Sequence, residues 1–227
     1  MDAPTPRRAP RRYGRRAFLG VSALGLSSLL WGDPLRRRLD QPLRNALPPS
    51  LVPSGWRIYT VASTMPRFDP ATWRLRVGGL VEKPLTLDYD GLLALPRTEE
   101  VRTFHCVTGW SVRDVHWAGV RMRDLLDEVR PLPAAHGLEF TSSERPYVDS
   151  LTARQATLPD VLLAYEQDGK PLAREHGAPV RLLIPEMYGY KSVKWVERIE
   201  LVPEPEPGYW EVRGYDADAW VGRSNGY

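Results

Sequence analysis

The chain has 227 residues, enough for one sizeable domain, and its 42% hydrophobic and 26% charged residues are those of a globular protein able to bury a core. Its formal charge of +3 is misleading: residues 1–38 hold nine arginines against Asp2 and Asp33, a net +7, so the remainder carries 3 − 7 = −4. That sign excludes nucleic-acid binding by the folded domain, and a single cysteine excludes an intrachain disulfide.

Residues 1–32 read as a leader. Arg15-Arg16-Ala17-Phe18-Leu19-Gly20 opens an apolar run to Trp31 and resembles a twin-arginine export signal, with Gly14 where Ser or Thr usually precedes the pair. The export machinery is then a partner, and the expected location is periplasmic or otherwise extracytoplasmic. The run is shorter than the roughly 20 residues a spanning helix needs. Leu30-Trp31-Gly32 is also a poor cleavage site, so removal of the leader and retention as an N-terminal anchor both stay open. Residues 33–54, with Pro42, Pro48, Pro49 and Pro53 and no sustained period, read as a linker.

The folded domain is expected over residues 55–227. Trp73-Arg74-Leu75-Arg76-Val77 alternates with period two and Gly78-Gly79 ends it in a turn; residues 84–87 restart a short strand. Asp88 caps a brief helix reaching Leu95, stopped by Pro96, and Met122, Leu125, Leu126 and Val129 mark a second helix by their i, i+3, i+4, i+7 spacing. Strands are expected at 101–107, 137–141, 180–184 and 193–202, and a hairpin from Val161 to Leu172 around Asp168-Gly169. The pattern is α+β and strand-rich with short helices, without the regular strand–helix repeat of a doubly wound sheet. Gly78-Gly79 lacks the third glycine and following helix of a nucleotide-binding loop.

Cys106 stands at the end of a strand signal, in Thr103-Phe104-His105-Cys106-Val107-Thr108-Gly109-Trp110. Alone, a cysteine among apolar neighbours is more often an inert buried side chain; as a thiolate it suits a soft metal. Its surroundings resemble the sulfite oxidase family of molybdopterin enzymes. The matching stretches are residues 73–77 with Gly79, Val81 and Pro84; the cysteine segment; Val161-Leu162-Leu163-Ala164-Tyr165-Glu166 with Gly169, Pro171 and Leu172; and His176-Gly177-Ala178-Pro179-Val180-Arg181. The last runs on through Pro185, Tyr188-Gly189-Tyr190-Lys191 and Val193-Lys194-Trp195.

The resemblance implies a mixed, strand-rich sulfite oxidase-type fold holding one molybdopterin, with the Cys106 thiolate as protein ligand to molybdenum. By the same match His176, Arg181, Ser192, Val193 and Lys194 contact the cofactor, Thr141 or its neighbour Ser142 adds a hydroxyl, and Tyr215 stands near the metal. The residue types suit these roles: arginine makes bidentate bonds to phosphate, lysine offers a point charge, and a phenol can hydrogen-bond a substrate oxygen. His105, His116 and His136 have no convincing metal-ligand spacing.

Two positions depart from the family's branches. Sulfite oxidases place an arginine five residues after the cysteine, where Ser111 stands, and the methionine sulfoxide reductase branch has a glutamate two residues after it, where Thr108 stands. Near the domain's start only Thr60 and Ser63 offer polar replacements for a cofactor-binding asparagine. Without the arginine, a sulfite dianion loses a charge-assisted partner, so oxygen-atom or two-electron transfer on a small oxo substrate, preferably sulfoxide reduction, is the expected reaction. The alternatives are sulfite oxidation and a binding module that keeps the fold without turnover. No haem-attachment Cys-x-x-Cys-His occurs, so electrons are expected from a separate partner, such as a membrane haem protein.

Overall fold

The computed structural model describes residues 55–225; the leader and linker expected at residues 1–32 and 33–54 lie outside the described residues. Two five-stranded sheets form the domain. In the first, the order is β2 (Leu85–Leu87), β1 (Leu75–Gly79), β10 (Val196–Val202), β5 (Gly137–Ser142), β6 (Val148–Thr152), with β1 and β10 parallel and the other pairs antiparallel. The second is antiparallel: β3 (Arg97–His105), β4 (Ser111–Arg121), β7 (Leu162–Gln167) and β8 (Lys170–Pro171) in order, with β9 (Arg181–Leu183) also paired to β7. The α+β, strand-rich class read from the sequence is the one observed.

The sheets share a core to which β1, β5, β6 and β10 contribute Leu75, Phe140, Leu151 and Ile199, and β4, β7 and β9 contribute Val120, Leu163 and Leu182. Strand β7 is buried on both faces. Leu163 and Tyr165 enter that shared core, while Leu162 and Ala164 enter a second cluster with Phe104, Trp110, Trp117 and Leu183. Two buried faces explain a continuous apolar run instead of an alternating one. Strand β9 divides likewise: Leu182 faces the shared core, so Arg181 and Leu183 point with period two toward the aromatic cluster.

Helix α1 (Tyr89–Leu93) starts where expected, with the Asp88 carboxylate accepting the Gly91 N–H at 2.8 Å, and ends two residues before Leu95. Helix α2 (Met122–Val129) buries Met122, Leu125, Leu126 and Val129, as their spacing predicts. Asp168 and Gly169 both take positive φ, 52° and 73°, in the β7–β8 turn.

Several expectations need correction. Strand β1 runs through Gly78 and Gly79 where a turn was expected. Gly79, at φ 79°, lies so close to β10 that a Cβ would meet the Leu201 carbonyl at 2.2 Å, so that glycine serves strand packing. Strand β4 was not expected: Asp114 sits at φ 54° and the β3–β4 register slips nearby, which separates Val112 from Val115 by three and breaks the alternation. Strand β6 and helix α3 (Ala153–Ala156) were also missed, although Thr152 and Gln155 form a capping box. Strand β3 starts four residues earlier than expected. Residues 193–195 lie outside β10, whose register slips between Val196 and Arg198.

Candidate functional site

Strand β3 delivers Cys106 into a tight turn. The Cys106 N–H donates to the Trp110 carbonyl at 2.9 Å, the Gly109 N–H donates to the Cys106 carbonyl at 3.0 Å, and Gly109 takes φ 89°. The thiol is half-buried against the aromatic cluster, with Sγ 3.2 Å from Thr108 Oγ1. A second loop is tied to this turn by the Gly189 N–H, which donates to the His105 carbonyl at 2.7 Å. Between them opens a cavity of about 490 Å³, whose lining includes Cys106, His176, Arg181, Ser192, Lys194 and Tyr215.

The cavity concentrates positive charge. Arg181 is 2% exposed, yet its guanidinium donates only to neutral carbonyls, those of Leu182 at 3.4 Å, His176 at 3.1 Å and Ser192 at 3.1 Å. It lies over the rings of Phe104 and Trp117, 5.1 and 5.6 Å from their centroids. Burial lowers its pKa to about 10. Lys194 donates to the carbonyls of Tyr59 at 2.8 Å and Glu175 at 3.1 Å, and burial, then Arg181, lowers it to about 8. His176 is lowered too, by burial and then by Arg181. Neither Arg181 nor Lys194 makes an ion pair among the described residues. A buried charge without a counter-ion is costly, and an anion entering the cavity removes that cost.

Local backbone brings these cations together. Gly177 takes φ 109° at the end of a short 3-10 turn (Arg174–His176), and a Cβ there would stand 3.0 Å from the Lys194 Cβ. Trp195 takes φ 53° and donates its indole N–H to the Arg174 carbonyl at 2.8 Å, which seats Lys194 4.0 Å above its ring.

Thr141 and Val193, both expected to touch a cofactor, do not line the cavity. Alternation along β5 turns Thr141 away, where its hydroxyl accepts from the Arg198 guanidinium at 3.3 Å, and places Ser142 on the cavity side. The Ser142 hydroxyl donates to the Lys194 carbonyl at 2.7 Å and accepts the Glu144 N–H at 3.0 Å. Val193 is buried in the shared core; its N–H donates to the Lys191 carbonyl and its own carbonyl accepts the Leu182 N–H. Thr60 reaches the cavity and Ser63 does not. Ser111 also lies outside the lining, with its hydroxyl 3.0 Å from His105 Nδ1.

Sequence reasoning missed part of the wall: Trp56, Tyr59 and Glu144, and the aromatic side formed by Tyr147, Tyr209 and Trp210. Glu144 is buried, and its Oε1 accepts the N–H groups of Val61 at 2.9 Å and Ala62 at 3.3 Å and the Thr60 hydroxyl. That carboxylate is committed to the backbone strap over the cavity. The only signal for it was an acidic residue beside Ser142 and Ser143; its partners lie more than 80 residues away.

The donor set fits a molybdopterin. Among the described residues no group of three or more His, Cys, Asp or Glu could hold a metal ion, so a metal beside Cys106 must bring most of its own ligands. A molybdopterin would bring them as sulfurs and would supply an anionic group for Arg181 and Lys194 to bind.

Comparison with known proteins points the same way. Residues 62–210 match the oxidoreductase molybdopterin binding domain. The chain is 38% identical over 154 residues to the uncharacterized oxidoreductase YuiH of Bacillus subtilis, covering 67% of this chain and 77% of that one. It is 33% identical over 160 residues to the protein-methionine-sulfoxide reductase catalytic subunit MsrP of Campylobacter jejuni, covering 63% and 54%, so it spans about half the length of that relative. The sulfane dehydrogenase SoxCD of Paracoccus pantotrophus superposes with a TM-score of 0.58 at 27% identity, over 63% of this chain and 41% of that one. The buried cations around one half-buried thiol thus have a family to belong to, and the chain is a molybdopterin-dependent oxidoreductase of the sulfite oxidase family.

Proposed function

We propose that this protein is an exported reductase that binds one molybdopterin, with Cys106 as protein ligand to molybdenum, and removes the oxygen from a sulfoxide. The observation that carries the reading is the Cys106 thiol sharing one cavity with Arg181 and Lys194, two cations that make no ion pair among the described residues. Arg181 and Lys194 hold the cofactor's anionic and polar ends, and His176, Ser142 and Ser192 border it. The bound group supplies the two-electron chemistry at the metal.

The net reaction is R₂S=O + 2e⁻ + 2H⁺ → R₂S + H₂O. Tyr215 lines the cavity with its ring packed on Tyr190 and Trp210, and its hydroxyl has no hydrogen-bond partner among the described residues. It donates a hydrogen bond to the substrate oxygen as charge builds there. A separate electron carrier, a haem protein at the membrane, supplies both electrons. The twin-arginine leader takes the folded, loaded protein out of the cytoplasm.

Two observations support a sulfoxide over sulfite: the similarity to reductase catalytic subunits, and Ser111 where an anion-binding arginine would stand. The test is an assay of purified holoenzyme with a reduced dye on methionine sulfoxide and dimethyl sulfoxide, and with an oxidising dye on sulfite. Sulfoxide reduction that drops at least tenfold in Tyr215→Phe is expected, since removing one such donor costs about 10²–10³ in turnover where it is fully engaged. Sulfite oxidation without sulfoxide reduction contradicts the reading.

A further inference from the structure

Among the described residues the half-buried Cys106 sulfur has one hydrogen-bond partner, Thr108 Oγ1 at 3.2 Å. Both ends belong to one rigid unit, because the Cys106 and Gly109 backbone bonds close the turn that contains them. Beyond Thr108, the Tyr59 hydroxyl lies 3.5 Å from the same Oγ1. Tyr59 belongs to the strap that crosses the cavity, and its place is fixed from both sides: Lys194 Nζ donates to its carbonyl and Glu144 accepts the N–H groups of Val61 and Ala62.

From this geometry we infer that Thr108 tunes the redox potential of the metal by donating a hydrogen bond to the Cys106 thiolate, with Tyr59 donating in turn to Thr108; the inference rests on Cys106 being the molybdenum ligand. The direction follows from the donor inventory. A free thiol can donate, but ligation removes its proton and leaves sulfur an acceptor only, so in the hydrogen bond between them the single hydroxyl hydrogen of Thr108 points at Sγ. With that hydrogen committed, Thr108 Oγ1 can only accept, and Tyr59 becomes the donor. A hydrogen bond withdraws electron density from the thiolate, weakens its donation to the metal, and favours the reduced centre. Thr108 is therefore a positioning residue acting through Cys106 and need not touch substrate.

The test compares native holoenzyme with Thr108→Val, which keeps the shape and loses the hydroxyl, Thr108→Ser, which keeps the hydroxyl, and Tyr59→Phe. Molybdenum content is measured first, then the midpoint potential by a titration followed through the paramagnetic intermediate state, with the sulfur-to-metal absorption band as a second readout. With molybdenum retained, Thr108→Val is expected to shift the oxidised-to-reduced ratio about tenfold toward the oxidised form, equivalent to about 59 mV downward for a one-electron step. The absorption band should move with it, Thr108→Ser should restore both, and Tyr59→Phe should move them the same way by less. Native potential and band in a fully loaded Thr108→Val enzyme overturn the inference and leave the proposed function standing. Absence of molybdenum from the native protein overturns the proposed function itself.

Discussion

Lys194 carries an ammonium into a half-enclosed site where burial and the neighbouring Arg181 already hold its pKa near 8. An anionic ligand favours the protonated form, so the Lys194 contribution to the apo protein's affinity for a metal-free pterin phosphate, which leaves Cys106 unligated, should be constant below pH 8. Above it, each binding event must restore a proton to Lys194, and affinity falls up to tenfold per unit. Calorimetric titration with metal-free molybdopterin from pH 6.5 to 9.5 measures this, and Lys194→Met should weaken binding and remove the fall above pH 8. The apo protein has its own dependence. Its folded-state pKa lies below the ordinary lysine value of 10.5, so the unfolded chain binds more protons between about 8 and 10.5 and Lys194 makes stability rise with pH across that window. The contrast between Thr141 and Ser142 also belongs at this scale. Both hydroxyls were legible as candidates, but one strand step separates the cavity face from the Arg198 face, and the phase of β5 was not written in the sequence.

Two glycine and lysine positions hold the elements that carry the site. Gly189 packs on Phe104, and a Cβ there would stand 2.2 Å from the Phe104 ring. Gly189→Ala must push that ring away from its place under Arg181, at an overpacking cost of about 1–3 kcal/mol in denaturant unfolding and with weaker cofactor binding. Lys191 is buried between two buried carboxylates, 2.8 Å from Asp149 and bonded to Glu211. Glu211 also accepts the Gly208 N–H, and so anchors the segment carrying Trp210 and Tyr215 to the cavity. Lys191→Met leaves both acids uncompensated and should cost about 3–5 kcal/mol, read as a lower denaturant midpoint. Elements with an undisturbed period, such as helix α2, could be read directly from the sequence. Strand β4 could not, because the irregularity at Asp114 changes the phase halfway along, and its Ala118-Gly119-Val120 stretch is buried instead of alternating.

The cavity draws its wall from Trp56 to Tyr215, nearly the whole described domain, so occupying it links segments that the sheets alone leave as separate loops. This long-range assembly is what the sequence showed least. Cys106, His176, Arg181, Ser192 and Lys194 stood out through their match to a family pattern, whereas the Tyr59 and Glu144 contacts depend on where the chain's start crosses the finished fold. Linkage then predicts that a tightly held cofactor stabilises the whole domain. At a thousandfold excess over Kd the gain is about 4 kcal/mol, and at about 2–4 °C per kcal/mol a loaded protein of this size should melt some 8–16 °C above its apo form in differential scanning calorimetry.

Molybdenum and pterin analysis of the native protein beside Cys106→Ser decides whether the Cys106 thiol, with the Arg181 and Lys194 cations in one cavity, forms a molybdopterin site. Near-stoichiometric molybdenum and pterin in the native protein, with molybdenum lost from the variant, is the predicted result. A native protein purified without either, or a Cys106→Ser variant that keeps its molybdenum, would contradict it.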